Sequence, residues 1–238
     1  MQLISAMHFC KLAEISTGFS SGGTFVSNFK IYVMKTTTHY ILIMDESSSM
    51  SNVKQETLTS LNEQIENCRK IAREMGEEAI SLSLSFFNTH VRKVFVRQNP
   101  ARVGLLTSVD YKPGGYTALL DAVGMSIQET EAKVLPNDDV VMLVLTDGQE
   151  NASQFFTFRQ IAQQIERLKA TGKWTFSFMG ADIDAWDLAS RLSISNDEVI
   201  SLKKENIGEE MKNVQSYMSS YMAEKFKGEL KTGLFNKK

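Results

Sequence analysis

The sequence predicts an α/β protein with a doubly wound, mostly parallel sheet, helices on both faces and one antiparallel edge strand. Three observations predict it. From residue 38 onward, strand-like and helix-like segments alternate, the pattern of a parallel sheet wrapped by helices. "HYILIM" (39–44) and "DVVMLVLTDG" (139–148) are built on unbroken apolar runs, as expected of strands covered on both faces. "AISLSLSFFN" (79–88) and "VRKVFVRQ" (91–98) each alternate apolar and polar residues and are joined by the short connection Asn88 to His90, which reads as a hairpin and supplies the antiparallel edge.

Taken in order, the first strand, 39–44, is followed by a helix whose apolar stripe is Leu58, Leu61, Ile65, Cys68, Ile71 and Met75, with Ser51 or Asn52 as its cap. The hairpin comes next. The loop "DYKPGGYTALLDAV" then leads into a helix from Ala118 to Lys133 with Leu119, Leu120, Val123 and Ile127 on its apolar face. The strand ending at "TDG" precedes a helix striped by Phe158, Ile161, Ile165 and Leu168, and then the strand "KWTFSFMG" (173–180). A short helix over 184–192, a short strand "EVISL" and a long helix carrying Met211, Val214, Met218 and Tyr221 or Met222 complete the pattern. The methionine-rich stripe on that helix reads as core packing.

At 238 residues the chain is long enough for one large domain. No apolar run approaches the roughly 18 residues that a bilayer span needs. With 26 basic against 28 acidic residues and basic clustering only at the extreme C-terminus, nothing favours nucleic acid. Cys10 and Cys68 have no metal-binding spacing and read as free thiols in a reducing compartment. Lys11 and Glu14 interrupt what would be the apolar stretch of a secretory signal, so the expected location is cytoplasmic, with no membrane association. Residues 1–33 read as a flexible leader rich in Ser and Gly, 34–226 as the folded domain and 227–238 as a frayed tail. Met34, directly before the first clear strand, is an alternative start.

Both buried-type strands run into an aspartate within a polar turn, "DESSS" and "TDG". In open parallel sheets ligands sit outside the carboxyl ends of the strands, where the winding reverses, so Asp45 and Asp147 are expected to face one another. A third loop, "PGGYT", adds Thr117 after two glycines that permit close backbone approach. Two carboxylates and three hydroxyls make a hard, all-oxygen donor set that suits Mg²⁺, with Mn²⁺ or Ca²⁺ as alternates, rather than zinc. With only two protein charges, such an ion keeps an open position for a partner's carboxylate.

These residues closely resemble the von Willebrand factor type A domain family and its metal-ion-dependent adhesion site, D-x-S-x-S followed by a Thr and then an Asp. The pattern here is Asp45, Ser47 and Ser49, Thr117, and Asp147, and the resemblance covers roughly 38–225. It implies a Rossmann-like, six-stranded sheet of order 3-2-1-4-5-6 with a short antiparallel edge strand. It also implies Ser47, Ser49 and Thr117 as direct ligands, and Asp45 and Asp147 as charge-balancing ligands acting in part through water. A stand-alone bacterial member of the family is the implied type.

Taken singly, Ser47, Ser49 and Thr117 also suit helix caps. Glu46 and Glu150 read as solvated rim charges, Asp184 as a helix cap, His39 and His90 as structural, and Asn151-Ala152-Ser153 as a chance glycosylation pattern. The function expected is that of a non-enzymatic binding module, a monomer on its own, whose divalent cation bridges to an Asp or Glu side chain of a protein partner. Two alternatives are an accessory subunit of a metal- or ATP-dependent assembly and a Mg²⁺-dependent hydrolase or phosphotransferase. The last lacks a phosphate-cradling glycine loop and a general base near the site.

Overall fold

Four strands of the main sheet have every residue buried, the apolar runs β3 (Thr38–Asp45) and β6 (Asp139–Thr146) and the alternating strands β4 (Ile80–Phe87) and β7 (Trp174–Ala181). In the computed structural model, which describes residues 11–19, 25–33, 36–229, 231 and 233–235, these strands join β5 (Val91–Gln98) and β8 (Val199–Leu202) in one sheet. Its order is β5-β4-β3-β6-β7-β8, parallel throughout except for the antiparallel pair β4–β5. Counted from β3, this is the order 3-2-1-4-5-6 expected of the sequence.

Alternating side chains of each strand feed two cores. On one face Tyr40, Leu42, Met44, Leu143 and Leu145 meet α1 (Lys54–Met75) and α5 (Ile207–Phe226). On the other, Ile41, Ile43, Val140, Met142 and Val144 meet α2 (Leu119–Glu131), α3 (Phe158–Lys169) and α4 (Ala185–Arg191). Helical stripes match the predicted ones: Leu58, Leu61, Ile65, Cys68 and Ile71 on α1, and Met211, Val214, Met218, Tyr221 and Met222 on α5, are buried. Each fully buried aliphatic side chain contributes about 1.5–3 kcal/mol, so these stripes outweigh weak local propensity. The α5 methionines are therefore core, as expected.

Several polar residues inside this sheet are paired. In β4, Ser81 Oγ lies 2.6 Å from His39 Nδ1, and Ser83 Oγ accepts the Arg97 N–H at 2.8 Å where the β4–β5 register shifts. His39 Nε2 reaches Asp138 Oδ2 at 3.0 Å, a structural tie at the amino end of β3, and burial holds this imidazole below its usual pKa. The serine alternation of β4 thus marks contact with neighbouring backbone and side chains, not a solvent face.

Several sequence expectations need correction. Residues Lys11–Phe19 (β1) and Phe25–Val33 (β2) pair as an antiparallel ribbon, a sheet of its own, where the sequence reading places a flexible leader over 1–33. The missed signal is the period-two alternation of "FVSNFKIYV", obscured by the Ser/Gly-rich connection before it. The segment after α5 is not a solvated tail in its described part: Leu234 and Phe235 are buried in the core of the α1/α5 face, and the Leu234 N–H donates to Glu198 Oε2 at 3.2 Å. Two large apolar residues among lysines and glycines were enough to dock it. Helix α1 begins from a 3-10 turn, Ser48–Val53, with no side-chain cap from Ser51 or Asn52. Met34, Cys10 and the first ten residues lie outside the described residues; Cys68 is a free, buried thiol, pushed up to about 12 by burial.

Candidate metal centre

Because β3 is flanked by β4 on one side and β6 on the other, the chain leaves β3 and β6 toward opposite halves of the sheet and opens a crevice at their carboxyl ends. Asp45, the last residue of β3, is fully buried there. Its Oδ1 accepts the Ser47 N–H at 2.7 Å, and its Oδ2 accepts the Thr146 hydroxyl at 2.5 Å. The Tyr111 hydroxyl donates to the Asp45 carbonyl at 2.6 Å. Burial pushes the Asp45 carboxyl above its usual pKa, and the charge of Asp147 adds to that, against the hydrogen bonds from Thr146 and Ser47. Two like charges this close call for a counter-charge.

Ser49 supplies the link across the crevice. Its hydroxyl donates to Asp147 Oδ1 at 2.6 Å, and Ser47 Oγ lies 2.9 Å from Ser49 Oγ. Since the single Ser49 proton goes to the carboxylate, the Ser47 hydroxyl is the donor of that second bond. Thr117 closes the group: a β-carbon placed on Gly148, next to Asp147, would stand 2.9 Å from Thr117 Oγ1. All five residues expected from the sequence therefore gather at one strand-end crevice. Neither Ser47 nor Thr117 makes a side-chain helix cap, and the position capping α2 is Ala118.

Backbone bonds lock the three loops together. The Gly114 N–H donates to the Glu46 carbonyl at 2.8 Å and the Ser48 N–H to the Gly115 carbonyl at 3.2 Å. Gly115 is required here twice over, having φ +80° and only 2.7 Å between a would-be β-carbon and Thr89 Oγ1. Asn151 clamps Thr117 from both sides, accepting its N–H on Oδ1 at 2.9 Å and donating its own N–H to the Thr117 carbonyl at 3.1 Å. Glu150 accepts the N–H groups of Leu120 and Ser153, and Asp121 those of Gln154, Phe155 and Phe156, tying the loop after β6 to the start of α2.

Glu46 and Glu150 are thus structural rather than solvated. Glu46 is buried and accepts from Arg92 Nη2 at 2.8 Å and the Lys112 N–H at 2.5 Å; Glu150 is half-buried under four hydrogen bonds. Asp184 does cap α4, its Oδ1 accepting the Asp187 N–H at 2.9 Å. Sequence reasoning missed Thr146, Tyr111, Asn151, Asp121 and Lys204. For the middle three the signal was a polar residue embedded in a loop or helix start that otherwise packs against the core. Thr146 immediately precedes Asp147, and Lys204 has no local signal, because its side chain reaches the site from beyond β8.

The donor set fits a hard divalent cation. Asp147 Oδ2 is buried without a well-aligned hydrogen bond, its neighbour being the Lys204 ammonium at 2.5 Å. The donors are all oxygen. Among the described residues no group of three His, Cys, Asp or Glu side chains is placed to hold a metal ion, so a cation here would draw on the serine and threonine hydroxyls as well as the two carboxylates.

The model of the von Willebrand factor type A domain matches residues 41–219, three quarters of the chain and all three loops of the site. The chain belongs to this family. The von Willebrand factor type A domains are metal-dependent protein-interaction modules. Among solved structures, the von Willebrand factor domain of the type V pili tip protein Mfa5 from Porphyromonas gingivalis is 10% identical at a TM-score of 0.58, over 79% of this chain and 97% of that one. The PilB minor pilin from Streptococcus sanguinis is 10% identical at 0.58, over 90% of this chain and 79% of that one. Proximal thread matrix protein 1 from the mussel byssus, solved with a zinc-occupied site of the same motif name, is 14% identical at 0.52. The match covers 77% of this chain but 46% of the mussel protein, so the chain spans about half the length of that relative. These likenesses establish the fold. No curated protein matches the chain.

Proposed function

We propose that this von Willebrand factor type A domain grips a protein partner through a divalent cation, Mg²⁺ first and Mn²⁺ or Ca²⁺ as alternates, that bridges its adhesion site to an Asp or Glu carboxylate of that partner. Ser47, Ser49 and Thr117 hold the ion directly, and Asp45 and Asp147 balance its charge, in part through water. The observation that carries this reading is the continuous run of hydroxyl and carboxylate contacts from Ser47 through Ser49 to Asp147, with Thr117 alongside. A bound cation supplies a Lewis-acidic position for a carboxylate oxygen.

The protein's own residues do the rest. Asp45, pinned by Thr146 and the Ser47 N–H, keeps the first loop rigid, and Asn151 orients Thr117. On the same edge of the sheet Tyr116, Phe155 and Trp186 are exposed, and aromatic side chains of this kind are favoured at protein interfaces. Of the nucleophile or base candidates, His39 is engaged at the amino end of β3 and Cys68 is buried on α1, both away from the site. A cytoplasmic, monomeric domain of the bacterial type belongs to the same reading, which the free buried thiol of Cys68 suits.

The test is capture of partners on immobilised protein in Mg²⁺ and in EDTA, with identification by mass spectrometry, for the native chain and Asp45→Ala. Partners retained only with metal and only by the native chain are expected. Equal capture in EDTA would refute the bridge.

A further inference from the structure

We propose that Lys204 is a built-in counter-cation that competes with the divalent ion for Asp147 and so sets how tightly the site holds its metal; this rests on the reading of the site given above. Lys204 lies in the 3-10 turn Lys204–Asn206 between β8 and α5, two strands away from β6. Its ammonium nonetheless reaches over the end of β7 to within 2.5 Å of Asp147 Oδ2 and donates to the Ser49 carbonyl at 3.2 Å. It therefore touches two of the three loops that build the centre.

The contact is shielded and held in place. The Lys204 side chain is 22% exposed and the Asp147 side chain 0%, whereas the adjacent Lys203–Glu205 pair is 76% and 75% exposed. The Lys204 N–H donates to Asp182 Oδ1 at 3.1 Å, and the Asp182 N–H to the Leu202 carbonyl at 2.9 Å, so the turn that carries the lysine is fixed to the end of the sheet. In such surroundings charges interact several times more strongly than in water. A divalent cation approaching Asp147 meets a positive charge already on that carboxylate, and it must displace the ammonium or bind against its repulsion. The same ammonium offsets the mutual repulsion of Asp45 and Asp147.

Mn²⁺ binding, measured from the free-ion EPR signal at low ionic strength, tests this on the full chain and on Lys204→Met, Lys204→Arg and Lys203→Met. Lys204→Met is expected to bind Mn²⁺ about tenfold more tightly. Lys204→Arg, which keeps the charge, and Lys203→Met, which removes an exposed one, are expected to stay near the native affinity. In EDTA, Lys204→Met is expected to melt several degrees below the native chain, with the gap closing at saturating Mn²⁺. Lys204→Gln gives the same comparison if the methionine variant does not fold. Native or weaker affinity in both neutral variants, with binding still abolished by Asp147→Ala, overturns the role of Lys204 alone. No Mn²⁺ binding by any chain overturns it together with the metal site.

Discussion

The Ser49 hydroxyl stands 2.6 Å from Asp147 Oδ1, although 98 residues separate the two in sequence. Neither residue is drawn there by burial of apolar surface. The strands deliver them: β3 and β6 are adjacent and parallel, pairing from Thr38 and Asp139 to Met44 and Leu145, so whatever follows either strand emerges at the same edge. Apolar packing fixes the position of the polar group.

Removing the support beneath Asp45 should weaken the fold before it weakens anything else. Thr146→Val deletes the hydroxyl that donates to a buried, ionisable carboxylate, with little change of shape. Hydrogen bonds to charged groups contribute about 1.5–3 kcal/mol, so a loss of about 2 kcal/mol in urea unfolding is expected. Tyr111→Phe, which removes a hydroxyl that donates to the uncharged Asp45 carbonyl, should cost about 1 kcal/mol.

Asn151→Ala is expected to separate binding from stability. It frees Thr117 from its side-chain acceptor while leaving the core intact, so the melting temperature should fall by only a few degrees. Metal affinity by calorimetry should drop about tenfold, as for a residue that orients a ligand without touching the ion. Unchanged affinity would mean that Thr117 needs no such clamp.

Glu198 gives the fold a pH dependence of its own. Burial lifts its carboxyl from 4.5 to about 7, against hydrogen bonds from Ser177 and the Leu234 N–H. The folded state therefore holds this proton more tightly than the unfolded chain. The resulting stabilisation is fully present below about pH 4.5 and is lost as pH rises through about 7, a change on the order of 3 kcal/mol. His39, held below its usual pKa, works in the opposite direction on acidification, so the informative quantity is the difference between the native chain and Glu198→Gln across about pH 5 to 8. That difference should change steadily up to about pH 7 and level off above it, and a pH-independent difference would contradict the assignment.

The docked C-terminal segment should be worth measurable stability. Phe235 is buried and meets the Tyr217 ring edge-on at 5.6 Å between centroids. Phe235→Ala is expected to cost about 2–4 kcal/mol and to expose residues after α5 to limited proteolysis. A variant as stable and protease-resistant as the native chain would show that the segment contributes nothing.

How far the sequence carried these features depends on the range of the interaction. The strand order and the helical stripes were legible because apolar periodicity is local: "HYILIM" and the α5 methionines announce their burial within one segment. The five oxygen-bearing residues were legible because each stands at a strand end or just before a helix. Glu46 was not, since its burial depends on Arg92 arriving from β5, and Lys204 was not, since only the folded chain brings it across β7. Leu234 and Phe235 were hidden by the opposite error, a polar average concealing two anchors.

The central claim is that Ser47, Ser49, Thr117, Asp45 and Asp147 surround one hard cation. Anomalous diffraction at the manganese edge, from crystals grown in MnCl₂, addresses it most directly. The expected result is a single strong peak at the carboxyl ends of β3 and β6, about 2.0–2.4 Å from the Ser47, Ser49 and Thr117 hydroxyl oxygens. A map with no peak in that crevice, or with manganese bound elsewhere on the surface, would contradict it.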